Sequence, residues 1–129
     1  MHERRNQRVL IVDDQHLIAD TLALILEQNG YDAEAVYSGE SAIESAIAHP
    51  PDVMISDVVM GKMNGIETAV FVAAHNPLCR IILFSGQAMT PELLCRANAQ
   101  GHIFEFFSKP IHPKFLLEQL DAEPQRPNL

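Results

Sequence analysis

Short apolar segments alternate with segments of helical periodicity along most of the chain, and this alternation restricts the possible folds more than any other feature. Each apolar segment ends in a polar turn, after which apolar residues recur at the spacing of one helix face. When strands and helices alternate in this way, each helix crosses over between two parallel strands and packs back onto the sheet. The sequence therefore predicts an α/β fold with a parallel sheet covered by helices on both faces.

The pattern predicts five strands and five helices. The strands are expected at 8–12, 31–36, 53–57, 80–84 and 103–107. The helices are expected at about 17–29, 39–48, 66–75, 90–101 and 113–120. Ser38 and Thr90 are suitable N-caps for the second and fourth helices, because a hydroxyl oxygen can accept a hydrogen bond from the first turn. The second strand alternates apolar and polar residues, which is typical of a strand at the edge of a sheet.

The length of 129 residues is that of one ordinary domain, and we expect a core at 8–120 between an N-terminal arm at 1–7 and a tail at 121–129. The net charge of −8 argues against direct binding to nucleic acid, whose phosphates attract basic surfaces. No apolar run approaches the ~20 residues of a membrane span, and the N-terminus lacks the pattern of a signal peptide. A cytoplasmic protein without a membrane partner is therefore expected.

Cysteine and histidine give no sign of a zinc site. Cys79 and Cys95 each fall in or beside a predicted buried element, where free thiols are expected in a reducing compartment. The six histidines are scattered without the spacing of zinc ligands. Neither a disulfide nor a zinc centre is predicted.

Polar side chains follow four of the predicted strands at the point where each strand ends. These residues are Asp13, Asp14, Asp57, Ser85 and Lys109. The carboxyl ends of parallel strands share one edge of the sheet, which carries the functional site in such folds. Three carboxylates 4 to 6 Å apart repel one another by roughly 1 kcal/mol or more per pair. Oxygen ligands favour hard cations, so we predict a site for Mg²⁺ or Mn²⁺. For Asp13 and Asp14 alone, capping of the first helix is the alternative explanation.

Four motifs, in order, resemble the response-regulator receiver domain of two-component signalling. They are VDD after the first strand, DVVMGKMNG after the third, FSG after the fourth and FFSKP after the fifth. The resemblance extends from Arg8 to about Leu120 and implies a flavodoxin-like, doubly wound sheet with the strand order 2-1-3-4-5. It also implies a domain that takes a phosphoryl group from a sensor histidine kinase or a phosphotransfer protein, and then changes conformation to signal to an output partner.

The resemblance implies a role for each residue at the phosphorylation site. Asp57 matches the phosphoacceptor, a carboxylate nucleophile on which the domain itself catalyses the transfer. Asp14 and Asp57 match direct Mg²⁺ ligands, Asp13 acts mainly through water, and the backbone carbonyl of Val59 completes the protein's share. Lys109 matches the lysine that pairs with a phosphoryl oxygen, where it helps to neutralise charge during the transfer.

The resemblance also implies a switch. Ser85 matches the hydroxyl that turns inward to a phosphoryl oxygen, and Phe106 matches the aromatic residue that follows it. The peptide bond between Lys109 and Pro110 is expected to be cis, against a base rate of roughly 5–6% for such bonds. Phe106 lacks the hydroxyl that a tyrosine would offer to a partner. Gly61 replaces a proline that the family usually has, so we expect a more mobile loop.

No output domain is expected after the last helix, so the domain should transmit its signal by binding a partner through its own surface. We expect it on the face of the fourth helix, fifth strand and last helix, which carries Leu94, Arg96, Phe104 and Phe115. That face would bind either an unknown output partner or a second copy of the chain in a homodimer.

Two residues are expected to set how long the phosphoryl group persists. In the family, the side chains two residues past the phosphoacceptor and two past the switch hydroxyl flank the path of the attacking water. Here these are Val59 and Gln87. Val59 is apolar and stiff, so it cannot orient a water, whereas Gln87 could hold one. We expect exclusion by Val59 to dominate and the phosphoryl group to be long-lived for this family.

Three other functions fit parts of the pattern. A flavodoxin-like cofactor binder shares the alternation, but the acidic loop DDQH would repel a flavin phosphate. A phosphohydrolase with an aspartyl nucleophile usually carries two carboxylates separated by one residue, whereas Asp13 and Asp14 are adjacent. A receiver-like docking module that is never phosphorylated is the third, and the complete set of five site residues argues against it.

Overall fold

The computed structural model describes residues 7–86 and 104–122, which form five strands and four helices. The strands are β1 (Arg8–Val12), β2 (Asp32–Val36), β3 (Val53–Asp57), β4 (Arg80–Ser85) and β5 (Glu105–Ser108). The helices are α1 (His16–Gln28), α2 (Gly39–Ala48), α3 (Gly65–His75) and α4 (Pro113–Asp121). The helix predicted at 90–101 lies outside the described residues, so α4 is the helix predicted last. Within the described ranges, no helix has the length and apolar character needed to cross a bilayer.

The sheet has the order β2-β1-β3-β4-β5, and all four strand pairs are parallel. This confirms the predicted α/β class and the strand order that the resemblance implied. It also makes β2 an outermost strand of the sheet, as the alternating sequence of β2 predicted. Because the strands run in one direction, all their carboxyl ends lie along one edge of the sheet.

Most element boundaries agree with the predicted ones to within a residue or two. Ser38 caps α2 as predicted, since its hydroxyl accepts a hydrogen bond from the Ser41 N–H at 3.0 Å. β2 begins one residue later than expected, because the Tyr31 N–H still donates to the Leu26 carbonyl in the turn that ends α1. Gly30 makes that turn with φ of 94°, a conformation that favours glycine.

Each face of the sheet buries its own hydrophobic core. Leu10 and Val12 of β1 point into a cluster with residues of α2 and α3. Val9 and Ile11 point to the opposite face, into a cluster with residues of α1 and α4. Because successive strand residues alternate between the two faces, β1 is buried on both, which suits its inner position in a parallel sheet. The two cores hold the strands in the register that brings the carboxyl edge together.

Cys79 is a free, buried cysteine, as its sequence environment predicted. Burial raises the pKa of its thiol to about 12, because the thiolate would lose its hydration. The thiol is therefore protonated near neutral pH and acts as a small apolar side chain. Cys95 lies outside the described residues.

Candidate functional site

The pairing of β1 with β3 brings two acids together where these strands end. Val12 pairs with Ser56, so the residues that follow them, Asp13 and Asp57, lie side by side. Asp14 follows in the loop to α1, and one carboxylate oxygen from each of the three acids lies within 4.8 Å of the others. Asp13 and Asp57 are buried, whereas Asp14 is exposed. These three residues form the acidic cluster, and oxygen ligands at this spacing suit Mg²⁺ or Mn²⁺.

Lys109 brings a positive charge to the acidic cluster. Its Nζ lies 3.0 Å from Asp57 Oδ2. The lysine is placed by β5, because Ser108 pairs with Ser85 of β4 and the Lys109 N–H donates to the Ser85 carbonyl at 2.9 Å. Within the described part of the chain, three carboxylates thus share one ammonium group at this edge. The edge is left with an excess of negative charge.

Burial raises the pKa of Asp13 above its ordinary value, because the carboxylate is largely removed from water. Two interactions oppose this effect: Asp13 Oδ1 accepts a hydrogen bond from the Gln15 N–H at 2.9 Å, and Lys109 lies nearby. The neighbouring carboxylates of Asp57 and Asp14 add to the raising effect. A bound cation would offset the excess charge that makes ionisation of Asp13 unfavourable.

Helix capping does not explain the two adjacent acids. The N-cap of α1 is Gln15, and its side chain makes no capping hydrogen bond. Asp13 and Asp14 both precede this position, and Asp13 bonds to the cap residue itself rather than to the first turn. The capping explanation for Asp13 and Asp14 is therefore wrong, and their place beside Asp57 is the reason that they lie together.

Both oxygens of the Asp57 carboxylate have a partner within the protein. Oδ2 faces Lys109, and Oδ1 accepts a longer hydrogen bond from the Val59 N–H at 3.3 Å. The Val59 side chain points away from the core and is 63% exposed. Phe84 of β4 pairs with Asp57, and the Phe84 carbonyl accepts a hydrogen bond from the Val58 N–H at 2.9 Å. These contacts fix the carboxylate at the end of a rigid strand.

The far end of the loop after Asp57 is anchored by residues that the sequence reasoning missed. Asn64 and Glu67 form a reciprocal capping box at the start of α3. A Cβ at Gly65 would lie 2.1 Å from the Asp57 carbonyl oxygen, so a larger residue would displace either α3 or β3. The N-x-x-E spacing was a readable signal for the box, but the contact of Gly65 depends on packing. At Gly61, by contrast, an added Cβ would meet no atom within 4 Å.

The residues predicted to form the switch lie at the same edge. Ser85 is buried at the end of β4, in the strand next to Asp57. Phe106 is half-buried on β5 and packs against the core cluster on the α2 and α3 face. The peptide bond between Lys109 and Pro110 is cis. Of the other residues singled out in the sequence, Gln87, Leu94 and Arg96 lie outside the described residues.

The chain is similar to known proteins over most of its length. A family model described as the response regulator receiver domain matches residues 9–121. The chain is 33% identical over 104 residues to a protein-glutamate methylesterase/protein-glutamine glutaminase of Haloarcula marismortui, covering 80% of the chain and 28% of that protein. It is 25% identical over 120 residues to the DNA-binding response regulator MtrA of Mycolicibacterium paratuberculosis, covering 93% of the chain and 52% of that protein. The chain thus spans about half or less of the length of these curated relatives.

Solved structures of similar size share the fold over almost their full length. The Vibrio cholerae chemotaxis protein CheY4 aligns with a TM-score of 0.79 at 30% identity, covering 90% of this chain and 97% of that chain. A CheY-like receiver domain protein of Methanospirillum hungatei aligns with a TM-score of 0.82 at 26% identity, covering 90% and 91%. The fold of this chain is therefore similar to the fold of these two solved chains over nearly their full length.

Proposed function

Because the chain belongs to the response regulator receiver domain family of two-component signalling, we propose that Asp57 accepts a phosphoryl group from a phosphohistidine on a sensor histidine kinase or a phosphotransfer protein. Aspartate phosphorylation and Mg²⁺ dependence are general properties of this family. The observation that carries the proposal is the acidic cluster with the Lys109 ammonium 3.0 Å from Asp57. A strand end that gathers three acids and one lysine suits phosphoryl transfer, which depends on charge neutralisation.

In the proposed reaction, a carboxylate oxygen of Asp57 attacks the phosphorus in line with the departing imidazole. The new O–P bond forms as the P–N bond breaks, and the bond pair leaves with the imidazole nitrogen. Lys109 pairs with an equatorial phosphoryl oxygen, and the Ser85 hydroxyl donates to another. Asp13, Asp14, Asp57 and the backbone carbonyl of Val59 would hold the cation. When bound, Mg²⁺ supplies positive charge that stabilises the transferring phosphoryl group.

The phosphodonor needs a surface beside Asp57, and the molecule offers a groove there. This groove has a volume of about 610 Å³ and lies between the start of α1 and the loop that joins β5 to α4. Its lining is mostly apolar, with Lys109 at one end, and includes Leu17, Ile18, Leu22, Pro110, Ile111 and Pro113. Leu17 is 80% exposed and lies next to the other apolar residues of the groove, and a continuous apolar surface of this kind supports contact with a partner protein.

We further propose that phosphorylation acts through Ser85 and Phe106. The acyl phosphate adds charge and acceptor oxygens where only a carboxylate stood. The Ser85 hydroxyl would turn toward Asp57 and donate a hydrogen bond to one of these oxygens. The half-buried Phe106 would follow and alter the surface that includes Phe104 and Phe115. That surface would bind an output partner or a second copy of the chain. We also propose that the chain forms a single domain with its core at 8–120, and that it acts in the cytoplasm.

Mass spectrometry after incubation with acetyl phosphate and Mg²⁺ tests the proposed reaction. The native chain should gain the mass of one phosphoryl group, and Asp57→Asn should gain none. Asp32→Asn is a matched control, because Asp32 is an exposed acid at the opposite end of the sheet. If the native chain gains no mass, or if Asp57→Asn still gains it, the chain is a docking module or uses another acceptor.

A further inference from the structure

An aromatic side chain connects β2 to helix α1 next to the acidic cluster. Tyr37 directly follows β2, and the preceding Val36 carbonyl accepts a hydrogen bond from the Asp13 N–H at 3.2 Å. The Tyr37 ring stacks on the His16 ring, with the ring centroids 3.7 Å apart and the planes 15° from parallel. The Tyr37 hydroxyl donates a hydrogen bond to Asp20 Oδ1 at 2.5 Å. Tyr37 therefore contacts helix α1 at two points.

These two points span the first turns of the helix. His16 and Asp20 are four residues apart, so they lie on one face of α1, one turn above the other. The helix has no side-chain N-cap and no acidic residue in its first turn, so the usual means of fixing a helix start are missing. The contacts with Tyr37 fix the start of α1 instead.

The start of α1 decides where Asp14 lies. Only residues 13–15 join β1 to α1, so a shift of the first turn would move the exposed Asp14 directly. Before a cation binds, repulsion from Asp13 and Asp57 would drive Asp14 outward. A contact that holds α1 against the end of β2 opposes this movement.

We propose that Tyr37 is a positioning residue for the cation site, which holds the loop with Asp14 in its binding arrangement before any cation is present. This inference rests on the proposed function, because it presupposes that the acidic cluster binds Mg²⁺. The phenol of tyrosine is protonated near neutral pH in any case, and the hydrogen bond to Asp20 raises the pKa of Tyr37 further.

Titration of the metal-free protein with Mn²⁺, followed by electron paramagnetic resonance, tests this role without any phosphorylation. Tyr37→Ala should weaken Mn²⁺ binding on the order of 3- to 10-fold, because only part of the energy of the aromatic pair and the hydrogen bond is expected to affect the cation site. Tyr37→Phe keeps the stacked ring and loses only the hydroxyl, so its affinity should lie between those of Tyr37→Ala and the native protein. Thermal unfolding without metal would show that each variant folds.

Helix α3 offers a matched control. Phe71 stacks on His75 with centroids 4.5 Å apart and planes 15° from parallel, in the part of α3 away from the acidic cluster. Phe71→Ala should bind Mn²⁺ as the native protein does. Native-like affinity in Tyr37→Ala, or an equal loss in Phe71→Ala, would overturn the positioning role. If the native protein itself binds no Mn²⁺, the proposed cation site fails, and the inference fails with it.

Discussion

The edge of the sheet where the strands begin and the edge where they end differ in the contacts of their charged side chains. At the edge where the strands begin, the Arg8 guanidinium lies 2.5 Å from Glu34 Oε1. At the same edge, Arg80 of β4 makes two hydrogen bonds to the carboxylate of Glu105 on β5, at 2.7 and 2.9 Å. At the opposite edge, the three carboxylates of the acidic cluster share the ammonium group of Lys109. At the first edge each arginine contacts a carboxylate directly, whereas at the second edge three carboxylates lie together around one ammonium group.

The pKa of one carboxyl group at each edge shifts, and the two shifts have opposite directions. Hydrogen bonds from Ser45 and Arg8 lower the pKa of Glu34, although its partial burial opposes them. Burial raises the pKa of Asp13, and its partners do not compensate. Glu34 thus gains from its partners within the protein, whereas Asp13 does not. This difference supports the proposal that the carboxyl edge binds a cation.

The strongest test of the paired edge is to remove one member of the buried ion pair. Glu105→Ala leaves the Arg80 guanidinium, whose side chain is only 12% exposed, without its carboxylate partner. The free energy of unfolding, measured by urea denaturation, should fall by about 3 kcal/mol or more. Asp32→Ala removes an exposed acid 3.8 Å from Arg8 and should cost less than about 1 kcal/mol. Equal losses in the two variants would mean that burial of the pair is unimportant.

At the acidic edge, unlike at the edge with the ion pairs, removing a charged side chain should not lower the stability of the protein. Asp14→Ala removes one of three repelling carboxylates, so the stability of the metal-free protein should hold or rise slightly. The same variant should lose metal-dependent phosphorylation by acetyl phosphate, because a proposed ligand is gone. Thermal unfolding without metal and mass spectrometry with Mg²⁺ measure the two effects. A marked loss of stability without metal would show that Asp14 has a structural role.

A smaller effect is expected at the rim of the acidic edge. Val59 is 63% exposed beside Asp57, and its side chain has no group that can orient an attacking water. Val59→Asn introduces a carboxamide there and should speed loss of the phosphoryl group several-fold. The decay of the phosphorylated mass after removal of the donor measures the rate. Leu78→Asn is the control, because Leu78 is an exposed apolar residue that precedes β4 at the opposite end of the sheet. An unchanged or slower rate in Val59→Asn would contradict the role of Val59.

The smallest effect concerns the pH dependence of the paired edge. The pKa of Glu34 is lower in the folded protein than its ordinary value of 4.5, so its ionised form stabilises the fold above that pH. This contribution is lost as the pH falls through the lowered pKa. Ser45→Ala removes the largest cause of the shift. Because the Glu34 side chain is 41% exposed, we expect Ser45→Ala to lower the free energy of unfolding by less than about 1 kcal/mol.

Denaturation of the native protein and Ser45→Ala across the acid range measures this contribution. The difference between the two proteins should be greatest near neutral pH and should shrink as the pH falls below the ordinary pKa of glutamate. It should vanish below the lowered pKa, where Glu34 is protonated in both the folded and the unfolded state. A difference that grows as the pH falls would show that Ser45 stabilises the protonated carboxyl instead.

The sequence alone predicted the fold class and most element boundaries, because both depend on local patterns. Burial on one or both sides of a strand leaves a periodic or continuous apolar signal, and the Ser38 cap needs only its own helix. The candidate site was predictable for a related reason. Asp13, Asp57 and Lys109 each stand where a strand ends, and in a parallel sheet all such ends meet at one edge.

Only the tertiary structure decided which distant side chains meet. Arg80 and Glu105 are 25 residues apart in sequence, and no local pattern around either residue predicts their ion pair. Gly65 is required by the position of the Asp57 carbonyl, and Tyr37 reaches His16 only because β2 lies beside β1 at the edge of the sheet. Such contacts depend on strand order and register, which are set by the packing of the whole sheet. Local sequence patterns determine what each segment becomes, but the partners of each segment depend on all the others.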